Sequence, residues 1–174
     1  MPYLCNIMEE EIVNKIAQSQ LVTLDPMDFF SDEAVVFDLK DFLFMEFVLK
    51  EKEFREALKM FDWSQFAEKN VTIYCSSDAI IPLWAYMLAT MYLQPVARWV
   101  MTGTMEECKK ELFLKRMQRE DFSKYNEKRM ILKGCGDASI PEYAYAALTW
   151  ALMPFAKSIM YGEPCSTVPV YKKK

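Results

Sequence analysis

Residues 75–86 read CSSDAIIPLWAY, and residues 135–145 read CGDASIPEYAY. From Asp78 and Asp137 onward the two share the pattern D-A-x-I-P-x-x-A-Y at an offset of 59 residues. The match extends on both sides. DWSQFAEK (62–69) recurs as DFSKYNEK (121–128), and PVARWVMTG (95–103) recurs as PFAKSIMYG (154–162). A period this long with only two copies is not a solenoid; it is a unit written twice. Within each copy, short apolar runs alternate with helix-length amphipathic runs, which reads as strand–helix–strand.

This reading sets the expected fold. Val71–Tyr74 and Met130–Lys133 are the opening strands of the two copies, and residues 97–103 close the first as a strand. TMEECKKELFLKRM (104–117) is a helix with Met105, Cys108, Leu112 and Met117 on one face, so Cys108 reads as a core thiol. KEKEFREALKMF (50–61) is an amphipathic helix with Phe54, Leu58 and Phe61 inward. EEEIVNKIAQS (9–19) is another, its glutamates at the positive end of the helix dipole. LVTLD (21–25), AVVFDL (34–39) and FMEFVL (44–49) read as extended edge segments, antiparallel at the margin of the sheet. The expectation is a single α/β domain over 1–174. It has a layered, mixed but mostly parallel sheet with helices, built on an internal duplication (62–103 and 121–162) with pseudo-twofold symmetry. Parallel strands require such helical crossovers. Residues 163–174 form an extended C-terminal tail draped over the sheet end, broken by Pro164 and Pro169.

The bulk composition narrows the chemistry. The chain has 174 residues, 52% hydrophobic, with a formal charge of −4. No basic face announces a nucleic acid, and Lys172–Lys174 read as a solvated tail. No signal peptide is visible, and no apolar run is long enough to span a bilayer. Five widely spaced cysteines (Cys5, Cys75, Cys108, Cys135, Cys165) are no secreted disulfide framework, which points to a cytoplasmic protein with free thiols. The chain has no histidine. Ser-His-Asp and Cys-His mechanisms and every imidazole metal site are therefore ruled out. Any proton transfer would rest on Asp, Glu, Lys, Tyr or Cys, and no acid–base pair can be named; the leading reading is non-catalytic, with a thiol-based enzyme as the alternative.

Ligands of such sheets sit at the carboxyl ends of strands. Cys75 ends one strand, and Cys135 follows another through Gly134. In the second copy Ser139-Ile-Pro-Glu142 reads as a capping box with Pro141 in the first turn. If the two copies pack about a pseudo-twofold axis, Cys75, Asp78, Cys135 and Asp137 meet in one cleft, and Cys165 is a third thiol within reach. Three thiols and two carboxylates without histidine suit zinc or an iron–sulfur-type metal. The plainer alternative makes Cys75 and Cys135 small apolar residues and lets Asp78 and Asp137 hold the turns. A second alternative is a small-anion or metabolite site at the two helix N-termini, with Ser77, Ser139, Arg98 and Lys157 as its polar groups. A third is a homodimeric scaffold without ligand. Tyr86 and Tyr145 recur one turn past the proline, and each needs a hydroxyl partner when buried.

DWSQF, CSSDAIIPLWAY and AKSIMYGEPCSTVPVYK together resemble a family of uncharacterised bacterial proteins, a domain of unknown function, over about Glu10 to Lys172. The resemblance brings no catalytic residue. It implies an association with iron–sulfur assembly proteins, which favours the thiol reading over the anion reading.

Overall fold

The computed structural model describes residues 21–30, 33–134 and 140–174. The chain divides into two compact units, a central unit (Met27–Glu120) and a split unit (Met1–Pro26 with Asp121–Lys174). The fold is α/β with mostly parallel strands. The single layered sheet expected from the sequence is two sheets, one in each unit.

The central unit holds strands β2 (Ala34–Asp38), β3 (Asn70–Tyr74) and β4 (Trp99–Thr102), all parallel, in the order β2-β3-β4. Helices α1 (Glu51–Met60) and α2 (Leu83–Leu93) pack on one face through Phe54, Leu58, Ala85, Ala89 and Leu93, against Phe37, Val71 and Ile73. Around Phe37 the rings of Phe42, Phe61, Trp63 and Phe66 lie 5.2–5.8 Å away, edge-on or tilted. Each such pair adds roughly 0.5–1.5 kcal/mol beyond its buried area. Thr72 points to the other face by strand alternation and is fully buried. Its Oγ1 donates to the Gly103 carbonyl at 2.5 Å. Helix α3 (Met105–Arg119) follows β4 and buries Cys108, Leu112 and Met117, as the spacing predicts. Burial pushes the Cys108 thiol up against the pull of Lys115, so this cysteine is an inert core residue.

The split unit holds β1 (Leu21–Leu24), β5 (Arg129–Lys133), β6 (Ser158–Glu163) and β7 (Ser166–Lys172), in the order β1-β5-β6-β7. β1, β5 and β6 are parallel; β7 returns antiparallel on β6. Helix α4 (Glu142–Leu152) buries Ala144, Leu148 and Leu152.

Several conformations recur 59 residues apart. Asp62 and Asp121 each accept from the backbone N–H two residues on and cap a 3-10 turn. Glu68 and Glu127 both take φ 57°. Each donates its N–H at 3.0 Å, to Val96 O and Phe155 O. Gly103 and Gly162 both have strongly positive φ. Asn70 pairs with Trp99 as Arg129 pairs with Ser158.

Four local readings are corrected. β1 and β2 are parallel edge strands, not antiparallel ones. FMEFVL is not a strand: Phe44 and Val48 make one antiparallel bridge across a tight turn with Met45 and Glu46 both at left-handed φ. Helix α4 starts at Glu142 with Pro141 as its N-cap, so Glu142 is too early in the helix to complete a box with Ser139. The capping box lies instead at Thr104 and Glu107. Finally, the C-terminal tail does not drape over the sheet but zips onto β6 as an edge strand. Pro169 has no N–H to donate, and the ladder slips between Ile159 and Met160 where it pairs.

Candidate functional site

The central unit carries a groove at the carboxyl ends of β3 and β4, and the split unit one along α4, β6 and β7. The central groove has a volume of about 640 Å3 and the split groove about 520 Å3. Ile73, Leu83, Tyr86, Met101 and Thr102 line the first. Their counterparts at the offset of 59, Leu132, Glu142, Tyr145, Met160 and Tyr161, line the second. The same strand ends and the same helix start therefore frame both.

The linings then diverge. In the central unit, β4 leads into α3, which contributes Glu107, Lys110 and Glu111 to the wall. Glu107 accepts from the Thr104 backbone and side chain, and these bonds hold its carboxyl below the usual range. Burial, and after it the Cys75 charge, pushes the Tyr86 phenol up. In the split unit, β6 leads into β7, which contributes Val170 instead. Trp150, Ala146 and Met153 complete an almost wholly apolar groove, with Trp150 80% exposed. Its aromatic wall is fixed. Tyr145 OH donates to Lys133 O at 3.0 Å, which supplies the partner its hydroxyl needs. Tyr161 OH donates to Gly134 O at 3.2 Å, and the two rings meet edge to face at 5.4 Å. A Cβ at Gly134 would lie 2.4 Å from the Tyr161 ring, so any larger residue there would displace that ring.

The turn after β3 is built by a residue the sequence reading did not single out. Asp38, paired with Tyr74 across β2 and β3, accepts from Lys40 N at 2.9 Å and from Ser76 N at 3.0 Å. Partial burial pushes its carboxyl up, but the bonds from Ser76 and Lys40 outweigh burial and hold it low. Ser77 Oγ donates to Glu46 O at 2.8 Å, and the half-buried Cys75 Sγ lies 3.6 Å from Ser77 O. Asp78 is exposed. In the split unit the corresponding strand end, Lys133, is held by Asp25 at 2.8 Å. Asp25 and Asp38 each open the pattern D-x-x-D-F (25–29 and 38–42), the signal that would have found them.

The remaining expected site residues scatter. Arg98 precedes β4 and Ser77 follows β3, so they sit at opposite edges of one parallel sheet and do not form a shared anion site. Lys157 likewise precedes β6, away from the groove edge. The N–H groups of Arg98 and Lys157 donate to Lys69 O and Lys128 O. Cys165 is exposed in the two-residue turn between β6 and β7, at the carboxyl edge of β6. Cys135, Asp137 and Ser139, and Cys5 with the 9–19 helix, lie outside the described residues. Among the described residues no three His, Cys, Asp or Glu side chains are grouped to hold a metal ion. No helix among them is long and apolar enough to cross a membrane.

A family model described as "Protein of unknown function (DUF2480)" matches residues 10–173. The chain belongs to this DUF2480 family. No curated protein and no solved structure matches it. DUF2480 membership thus spans both units and both grooves, and agrees with the resemblance carried by DWSQF and YGEPCSTVPVYK.

Proposed function

We propose that this DUF2480 chain is a non-catalytic binding module built on an internal duplication, in which the split-unit groove receives an apolar, aromatic-sized group. The observation that carries the reading is the equivalence of the grooves: five positions at one offset line both. An apolar pocket with a few fixed polar groups is the common form of a small-molecule site. The shared caps, left-handed residues and strand registers support the duplication. Glu107 caps α3 and Asp38 and Ser77 hold turns, which gives these polar groups a structural role.

The test is calorimetric titration of the full chain with indole as the apolar probe. Binding is expected, with a negative heat-capacity change from apolar burial. Ala146→Arg, on the exposed side of α4, fills the groove without touching the core and should abolish that binding. Unchanged binding in Ala146→Arg overturns the assignment.

A second proposal keeps the protein as an accessory in iron–sulfur or metal handling, with Cys75, Cys135, Cys165, Asp78 and Asp137 as the candidate ligands. Its support is positional: Cys75 and Cys165 both sit at the carboxyl edges of their sheets, whereas Cys108 is in the core. Metal analysis of protein purified without oxygen, beside Cys165→Ser, tests it. Stoichiometric metal lost in the variant supports it; equal, negligible metal in both removes it.

A further inference from the structure

Helix α2, LWAYMLATMYL, has no charged residue on any face. A helix that is apolar all round belongs in a buried setting. Its inner face is buried through Ala85, Ala89 and Leu93. Its outer face is not: Leu83 is 81% exposed, Met87 73% and Met91 57%, with Ile80 ahead of the helix at 94%. Spacing of four aligns residues 83, 87 and 91 in one row. Helix α1 in the same unit shows the ordinary alternative. Its outer face is charged, and Arg55 pairs with Glu51 at 2.9 Å.

We propose that the α2 row is the contact surface for a second copy of this chain, in a two-fold dimer with α2 against the partner's α2. In an isologous contact, residues near the axis meet their own copies, so any charge there would face its like. The row carries none, although the chain as a whole has a net charge of −4. The row is also symmetric about Met87. Antiparallel packing sets Leu83 against the partner's Met91 and Met87 against the partner's Met87. Unbranched methionines adapt to such self-packing without strain. The four side chains expose on the order of 500 Å2, a patch size that marks an interaction site on a monomer. Ser77, three residues before Ile80, holds the Phe44–Val48 turn by its bond to Glu46 O. That turn presents exposed Met45 and Phe47, which extend the apolar surface toward the ~800 Å2 per partner of a standard interface.

This inference is independent of indole binding, because Met87 and Met91 line neither groove. Sedimentation equilibrium of the full chain tests it. Wild type should have twice the 20.4-kDa chain mass. Met87→Glu buries a like-charge pair at the axis and should raise the dissociation constant by roughly 100-fold or more. Met91→Lys, at the end of the row, should weaken it as well. Met60→Glu, at an exposed methionine on α1, should leave it unchanged. Circular dichroism confirms that each variant is folded. A monomeric wild type, a Met87→Glu dimer of unchanged affinity, or equal dissociation by Met60→Glu overturns the proposal.

Discussion

The central and split units share a run of similar local elements and end with different surfaces. Each has a capped 3-10 turn, a strand, a helix opened by proline, and a second strand in parallel register. What comes next differs. After Gly103 the central chain enters α3, and its groove gains Glu107, Lys110 and Glu111. After Gly162 the split chain turns back into β7, and its groove gains Val170. The element that follows the shared framework thus sets the chemistry of the groove. The framework fixes only where the groove lies.

The two glycines give the largest expected contrast. At Gly162, φ is +124° and a Cβ would lie 2.4 Å from the Ser166 carbonyl oxygen, which is backbone and yields only if β7 shifts. Gly162→Ala should therefore cost about 3 kcal/mol or more, by strain and by displacement of β7. At Gly103 the nearest atom is the flexible Glu107 carboxylate at 2.7 Å. Gly103→Ala should cost roughly 1–2 kcal/mol, mostly backbone strain. Urea denaturation of the two variants measures the difference, and equal costs would break the comparison.

A smaller contrast lies at the centre of the two sheets. Thr72 and Ile131 occupy the same place, both buried. Thr72 is polar because its hydroxyl satisfies the Gly103 carbonyl. Thr72→Val should cost roughly 1–3 kcal/mol by removing that partner. Ile131→Val loses only a methylene and should cost about 0.5–1.5 kcal/mol. Thermal unfolding of the pair orders them.

The smallest effect is on pH. Asp38, Asp62, Glu107 and Asp121 are all held below their ordinary values, chiefly by hydrogen bonds in the exposed caps and against burial at Asp38. Groups depressed in the folded state contribute stability above their unfolded pKa and lose it as pH falls through the folded value. Stability should therefore decline below about pH 4. With no histidine, it should change little between about pH 5 and 8. Chemical denaturation from about pH 2 to about pH 8 checks both halves of the statement. Asp62→Asn and Asp121→Asn should each reduce the acid loss by similar amounts if the two caps are equivalent.

Much of the framework was legible because it was local and written twice. The recurring D-A-x-I-P-x-x-A-Y located both helix starts to within about two residues, and apolar spacing placed Cys108 in the core. Features that depend on distant pairing were not legible. The pattern D-x-x-D-F marks Asp38, but its bond to Ser76 follows from β2 lying parallel to β3, which no local pattern states. FMEFVL carries an apolar run that suits a strand, yet two left-handed residues fold it into a turn. A short apolar run does not settle its own conformation. Tyr161 in place of Thr102, and β7 in place of a helix, are single-site and connection differences. They decide the groove lining but leave the repeat pattern intact.

Met101 and Met160 stand at the same place in the two grooves. Carbon-13 methyl spectra of methionine-labelled protein, titrated with indole, read both grooves at once. The Met160 resonance should move and saturate while Met101 stays still. Movement of Met101 alone, or of neither, would contradict the assignment of the binding site to the split unit.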